Sequence, residues 1–214
     1  MHIVGLYLSP FAMGALKDLI LTIVSTFLSF VLGIAFAAGR LYGHPIISGI
    51  IGWYVELIRG LPAILQLFII YYGLDQLHVR LTVLQAGLIW LVAYGVGYAV
   101  EIFRSGIMDV PLGQREAASA LGLSRWVTMR KVIVPQAFAV MMPAITSFVV
   151  LQLKNTTLLY LIGYADIMYQ ANQGTNSTSE PQIMYIMAAV AYLIMSLVIG
   201  RIGNVMEKRA AAYR

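Results

Sequence analysis

Apolar residues fall into long runs separated by short polar intervals, and the runs are the length of membrane crossings. Leu19 to Gly39 carries no charge and matches the roughly 20 residues a helix needs to cross hydrocarbon. Ile46 to Leu74 is apolar apart from Glu56 and Arg59 and is too long for one perpendicular crossing. Gly60 and Pro62 are expected to divide it into an interfacial part and a crossing part. Glu56 and Arg59, three residues apart, are expected to pair on one helix face. Leu81 to Val100 makes a third span and ends in Glu101-Ile102-Phe103-Arg104, while Gly95 and Gly97 leave room for a neighbouring helix. A fourth, about Val132 to Leu153, contains Pro135 and Pro143 and should be kinked. Ile183 to Gly200 is the fifth, followed by a basic tail, Arg201 to Arg214. Met1 to Met13, with Pro10, reads as a lead-in at the interface. Ala35-Phe36-Ala37 mimics a signal-peptidase site, but the apolar run exceeds the usual h-region of about 7 to 15 residues and no basic region precedes it. The pattern predicts an all-α integral membrane protein with five transmembrane helices, without internal repeats or low-complexity linkers.

Two polar intervals stand out. Gly113 to Pro135 carries Arg115, Glu116, Arg125, Arg130 and Lys131 between two spans. Helix propensity is high from Glu116 to Ala120, Gly122 is a natural stop, and Ser124 can cap a second helical start through Trp126. The expectation is a short helix, a turn and a re-entry between helices 3 and 4. Leu153 to Gln182, rich in Asn, Gln, Ser and Thr, reads as a surface loop with a short helix around Ala165 to Ala171.

Composition agrees with a bilayer environment: 60% hydrophobic, 11% charged, mean hydropathy +0.83. With no cysteine, disulfides and thiolate chemistry are excluded. The net charge of +5 does not imply nucleic acid, because the basic residues are not gathered in one run. They sort by side instead. With the N-terminus outside and the C-terminus cytoplasmic, Arg40, Arg104, Arg115, Arg125, Arg130, Lys131, Arg201, Lys208, Arg209 and Arg214 fall in the cytoplasm, with Arg59 beside them, and Lys17 and Arg80 outside.

None of Lys17, Lys131, Lys154 and Lys208 follows a glycine, so there is no GxxxxGK[ST] phosphate loop. His2, His44 and His78 are scattered, which argues against a metal site, and no GxSxG elbow occurs. The chain is not expected to be an enzyme. Lys154 is the first candidate for a polar solute, since a charge within or at the end of a span is costly unless it faces water or a partner. Asn155, Thr156 and Thr157 follow with donors and acceptors. Against this, about 1.5 Å per residue from Val132 places Lys154 near the outer face, where it could snorkel into headgroups. Glu101, Tyr98 and Gln66 are further candidates, and Glu101 has a competing role as partner of Arg104.

The spelling Glu116-Ala117-Ala118, Gly122, then Val132-Ile133-Val134-Pro135 resembles the EAA loop of the membrane subunits of ATP-binding-cassette importers. Tyr54 to Leu74 and Ala93 to Ile107 are similar to blocks of the polar amino-acid importer permeases, type I. The resemblance covers about residues 14 to 209, which would be the transmembrane domain, with 1–13 as lead-in and 210–214 as tail. It implies a cytoplasmic coupling helix seated on an ATPase subunit through Gly113, Arg115, Glu116, Ala117, Ala118, Ala120, Gly122 and Arg125. It also implies two ATPase subunits, which hold the ATP and Mg, a second permease chain as homodimer or heterodimer, an extracytoplasmic solute-binding protein, and a multi-pass location in the bacterial inner membrane among lipid. No cofactor is expected in this chain. Lys154-Asn155-Thr156-Thr157-Leu158 departs from the family's usual Lys-Asp-Thr-Ser-Leu, and the missing aspartate slightly favours an acidic or neutral solute. An ATP-independent secondary transporter or channel would show inverted repeats or paired intramembrane acidic residues, and the sequence reads as having neither. A plain structural anchor would need no kinked span and no charged hairpin.

Overall fold

The computed structural model describes residues 2–211, so Arg214 and most of the expected 210–214 tail lie outside the described residues. Every regular element among the described residues is helical. The lead-in and first span are one helix, α1 (His2–Tyr42), uninterrupted by Pro10. It is followed by α2 (Pro45–Gly60) and α3 (Ala63–Phe68), which passes through a π-helical segment, Ile69–Gly73, into a last turn, α4 (Leu74–Gln76). Next come α5 (Val83–Met108), α6 (Leu112–Ala120) and α7 (Arg125–Thr128). A π-helical turn, Met129–Ile133, then leads into α8 (Val134–Thr156). A 3-10 segment, Thr157–Ile162, α9 (Ile167–Thr178) and α10 (Pro181–Ala210) complete the chain.

The long apolar stretch breaks where expected, with a 110° bend between α2 and Ala63–Gln76. Leu61 is forced into extended backbone (φ −95°, ψ 143°) because the residue before proline avoids the helical region. A bent helix exposes carbonyls that lipid cannot satisfy. Gln66, buried in the corner, donates its Nε2 to Ile58 O (2.7 Å) and Leu61 O (2.9 Å). Its candidacy as a solute ligand gives way to this clamp. At the other proline-marked break, Pro135 sits in the first turn of α8 directly after the π-helical turn, which takes up the missing backbone donor.

α5 is the central helix, opened by a reciprocal cap in which Gln85 N donates to Thr82 Oγ1 (3.3 Å) and Thr82 N to Gln85 Oε1 (2.9 Å). Its glycines let neighbours reach its backbone. A Cβ on Gly95 would overlap the Ser29 hydroxyl of α1 and lie 3.1 Å from Gln152 Nε2 of α8, and one on Gly97 would lie 2.6 Å from Ile58 Cγ2 of α2. Ser29 donates to Val92 O (3.3 Å), and buried Gln152 donates to Leu91 O (3.0 Å) and Ser25 Oγ (3.4 Å), joining α1, α5 and α8. Phe30, Phe103 and Phe148 pack beside this tie. Residue order gives direction: Ser29 meets Gly95, Gly33 meets Ala99 and Arg40 reaches Glu101, so α1 and α5 run parallel. Gly87 meets Leu159 and Gly106 meets Met141, so α8 is antiparallel to them, and Gly203 against Thr146 sets α10 antiparallel to α8.

Three expectations change. Leu153 to Gln182 is not a surface loop: Leu159, Ile167 and Ala171 are buried, and α9 packs between α1 and α10, because the apolar positions of this polar stretch share one helix face. The basic tail continues α10 as helix to Ala210, whose side chain packs on Ala139 and Met142. Among the described residues no ion pair joins Glu56 to Arg59; the Arg59 guanidinium lies 5.8 Å from the Tyr98 ring centre instead.

Substituting Gly95→Leu should destabilise the purified protein by about 1–3 kcal/mol or block its accumulation, since the side chain must displace Ser29 and Gln152. Gly200→Ala, with open space around it inside α10, should raise the thermal unfolding midpoint slightly, through about 0.5–1 kcal/mol of helix preference. Gln66→Leu should cost about 1–3 kcal/mol by the same measurement, because two carbonyls at the α2–α3 corner lose their donor.

Candidate functional site: the exposed hairpin and the polar stripe

The charged interval forms the helix, turn and re-entry that its residues predict. After Val110 is buried, Pro111 starts α6 and Gln114 N closes on Pro111 O (3.0 Å). The helix ends at Gly122, whose φ of +72° lies in the left-handed region, with Leu123 N donating to Ala118 O (3.0 Å) and Gly122 N to Ser119 O (2.9 Å). Ser124 then caps α7 by accepting from Val127 N (3.4 Å).

The side chains divide between holding the hairpin and facing away from it. Arg115 turns inward, donating from Nη2 to Ile107 O at the end of α5 (3.1 Å), and Ala118 is buried. Gln136 Nε2 bridges Gln114 Oε1 (3.2 Å) and Val132 O (3.0 Å). Gly113, Glu116, Ala117, Ala120, Gly122 and Arg125 are exposed. So are Leu112, Leu121 and Trp126, each more than 70% accessible. The outward surface therefore mixes one carboxylate with large apolar side chains at a place where the chain carries its densest charge. Of the residues predicted here, Arg115 and Ala118 build the support, and the others form the free face. The apolar members escape a reading based on charge and on the EAA spelling.

The solute candidates do not form one cluster. Lys154 is exposed and Thr157 Oγ1 donates to Lys154 O (2.7 Å), while Thr156 is buried on the opposite side of α8, donating to Leu153 O (2.7 Å). A helix places consecutive residues about 100° apart, so the Lys-Asn-Thr-Thr run cannot present one face. Asn155 is buried, donates to Gln152 Oε1 (3.5 Å) and lies beside the Tyr94 hydroxyl. Tyr94 in turn donates to the Tyr98 hydroxyl (3.1 Å), with ring centres 4.8 Å apart. Tyr98 lies next to Phe148 and beneath Arg59. One turn further along α5, Glu101 takes Arg40 Nη1 at 2.8 Å from α1 and Arg104 Nη2 at 2.8 Å, with Arg104 Nε also donating to it (3.2 Å). The structure thus draws Tyr98, Asn155 and Glu101 into a stripe that includes Tyr94 and Arg59. Lys154, Thr156, Thr157 and Gln66 stay outside it. Arg59 is a charge in an apolar run and so is visible in the sequence, but its close spacing to Glu56 points to the wrong partner.

Comparison with known proteins fixes the family. The model of the binding-protein-dependent transport system inner membrane component matches residues 29–212. The chain is 33% identical to the probable glutamine ABC transporter permease protein GlnM of Bacillus subtilis, covering 92% of this chain and 91% of that one. It is 32% identical to the arginine transport system permease protein ArtQ of the same organism, with 94% and 92% covered. Among solved structures, an amino acid ABC transporter crystallised with histidines superposes with a TM-score of 0.90 at 32% identity over 95% of each chain. The MetNI methionine ABC transporter in an inward-facing conformation shares the fold, with a TM-score of 0.78 at 19% identity over 95% of this chain and 97% of that one. An all-helical bundle that has, among the described residues, four helices long and apolar enough to span a bilayer, or five with the bent pair, a buried polar tie and a projecting charged hairpin belongs to this family: the chain is a multi-pass permease subunit of an ABC transporter in the bacterial inner membrane.

Proposed function

We propose that this permease carries amino acids or closely related polar solutes inward by alternating access, receiving them from an extracytoplasmic binding protein and taking its mechanical drive from a separate ATPase subunit through α6. The observation that carries the reading is the free face of the hairpin, where Glu116 and exposed Leu112, Leu121 and Trp126 stand on a helix pinned to α5 by Arg115. A rigidly seated helix with an apolar and acidic outer surface suits docking into a groove and transmitting rigid-body displacement. The relatives named for glutamine and arginine support the cargo class.

The parallel course of α1 and α5 supports a return crossing by the bent pair α2–α4 between them, five in all. The bias of Lys and Arg supports an α6 end in the cytoplasm and a start of α1 outside. The more open end of the stripe, exposed Arg59 and half-buried Tyr98, is the solute-facing part, with Tyr94 and Asn155 buried behind it: the guanidinium suits a carboxylate, and the Tyr98 hydroxyl suits an amine or polar tail. Glu101, held by two arginines, serves as a brace. Two copies of the ATPase subunit and a second permease chain complete the assembly, ATP and Mg being held by the ATPase partners.

Glu116→Lys and Gly122→Asp should leave the chain in the membrane and bring ATP hydrolysis by the reconstituted transporter down to its unstimulated rate in the presence of solute-loaded binding protein. Stimulation equal to wild type would remove α6 from the coupling role. Ser119→Cys, at an exposed position of α6, should react with an impermeant maleimide only after the cells are opened, and reaction in intact cells would reverse the orientation.

A further inference from the structure

Two carboxylates 148 positions apart in sequence come near each other at the end of the bundle opposite α6. Asp18, on α1, and Asp166, which caps α9, are both fully buried. Gly14, one turn before Asp18, is so close to the start of α9 that an added Cβ would lie 2.7 Å from Ile167 N and 2.8 Å from Asp166 C. Asp18 Oδ2 accepts from Ile167 N (3.3 Å) and from the Tyr192 hydroxyl of α10 (2.9 Å), and the Thr156 side chain of α8 stands beside it. Asp166 Oδ1 accepts from Tyr169 N (2.6 Å). The other oxygen of each, Asp18 Oδ1 and Asp166 Oδ2, is buried without a donor from the protein. Sequence distance hides this proximity, which folding creates.

Two ionised carboxylates in a dry site repel each other and forgo their hydration, and such pairs retain one proton between them. We propose that Asp18 and Asp166 form a proton-binding site, in which a proton kept on Asp166 removes the charge repulsion between the two buried carboxyls and holds α9 against α1, α8 and α10. The Ile167 amide and the Tyr192 hydroxyl are directed at Asp18, and the Tyr169 amide, with those of Asp166 itself and Met168, at Asp166. The remaining ionisable groups near the pair are Lys17 on α1 and Tyr164 before α9. Burial pushes the Asp166 carboxyl up to about 8, the nearby Asp18 charge adds to this, and the Tyr169 amide opposes it. The site lies on the face opposite the hairpin, where α9 exposes Gln173, Asn176 and Ser177, so its proton governs how firmly that polar helix is seated.

The folded chain holds this proton up to about pH 8, whereas an unfolded aspartate releases it near pH 4. The stabilisation is therefore fully present in acid and is lost as the pH rises from about 4 through about 8. The test uses the complete transporter in lipid nanodiscs. Infrared spectroscopy at neutral pH should show a protonated carboxyl C=O band that disappears in Asp166→Asn, a substitution that preserves the helix cap. The thermal midpoint of wild type should fall between about pH 5 and about pH 8, and the fall should be shallower in Asp166→Asn and in Asp18→Asn. Absence of the band in wild type, or equal pH slopes in all three proteins, would overturn the proposal. So would a rise of the wild-type midpoint on adding sodium or calcium ions at high pH that Asp166→Asn lacks, since a metal cation would then occupy the site.

Discussion

Helices in a bilayer gain nothing from hiding apolar surface from lipid that is equally apolar, so close backbone approach and buried hydrogen bonds must hold the bundle. This constraint is met on α5. Gly87, Gly95, Gly97 and Gly106 admit Leu159, Ser29, Ile58 and Met141 to its surface, bringing α1, α2 and α8 against one helix. Ser29 and Gln152 then bond to α5 carbonyls inside the seam. Each such bond is worth on the order of 1 kcal/mol, yet it fixes rotation and depth as apolar packing alone would not. The outward faces of α1 and α10 keep large apolar side chains for lipid or another chain.

The same helix joins both parts of the functional reading. Tyr94 and Tyr98 lie on the stripe, Glu101 is braced by Arg40 and Arg104, and Ile107 near its end accepts Arg115 from the hairpin. A displacement imposed on α6 would meet a stiff element that continues directly into the stripe, and the π-helical turn at Met129–Ile133 gives the hairpin's other arm a deformable attachment to α8. At the far end Asp18 accepts from Ile167 N, the first amide of α9, where α9 packs on α1 and α10. Rigid centre, projecting hairpin and separately fastened outer helix form an arrangement suited to rigid-body rocking.

Features governed by local chemistry could be read along the chain. Leu61-Pro62 breaks α2 because proline restricts its predecessor, Gly122 turns because glycine alone enters the left-handed region freely, and Ser124 caps because its hydroxyl reaches an amide three residues on. Span length and the family spelling belong to the same class. Which charges meet was settled by folding. Arg59 takes Tyr98 rather than Glu56, Glu101 gains Arg40 from a helix 61 residues away, and Asp18 finds the Ile167 amide and the Tyr192 hydroxyl. Packing of the bundle also made the polar run before α10 partly core, since burial depends on which face of α9 is covered. Partner choice among polar groups in a dry interior is set by three-dimensional proximity and by the cost of leaving any of them alone, and neither quantity is carried by spacing along the chain.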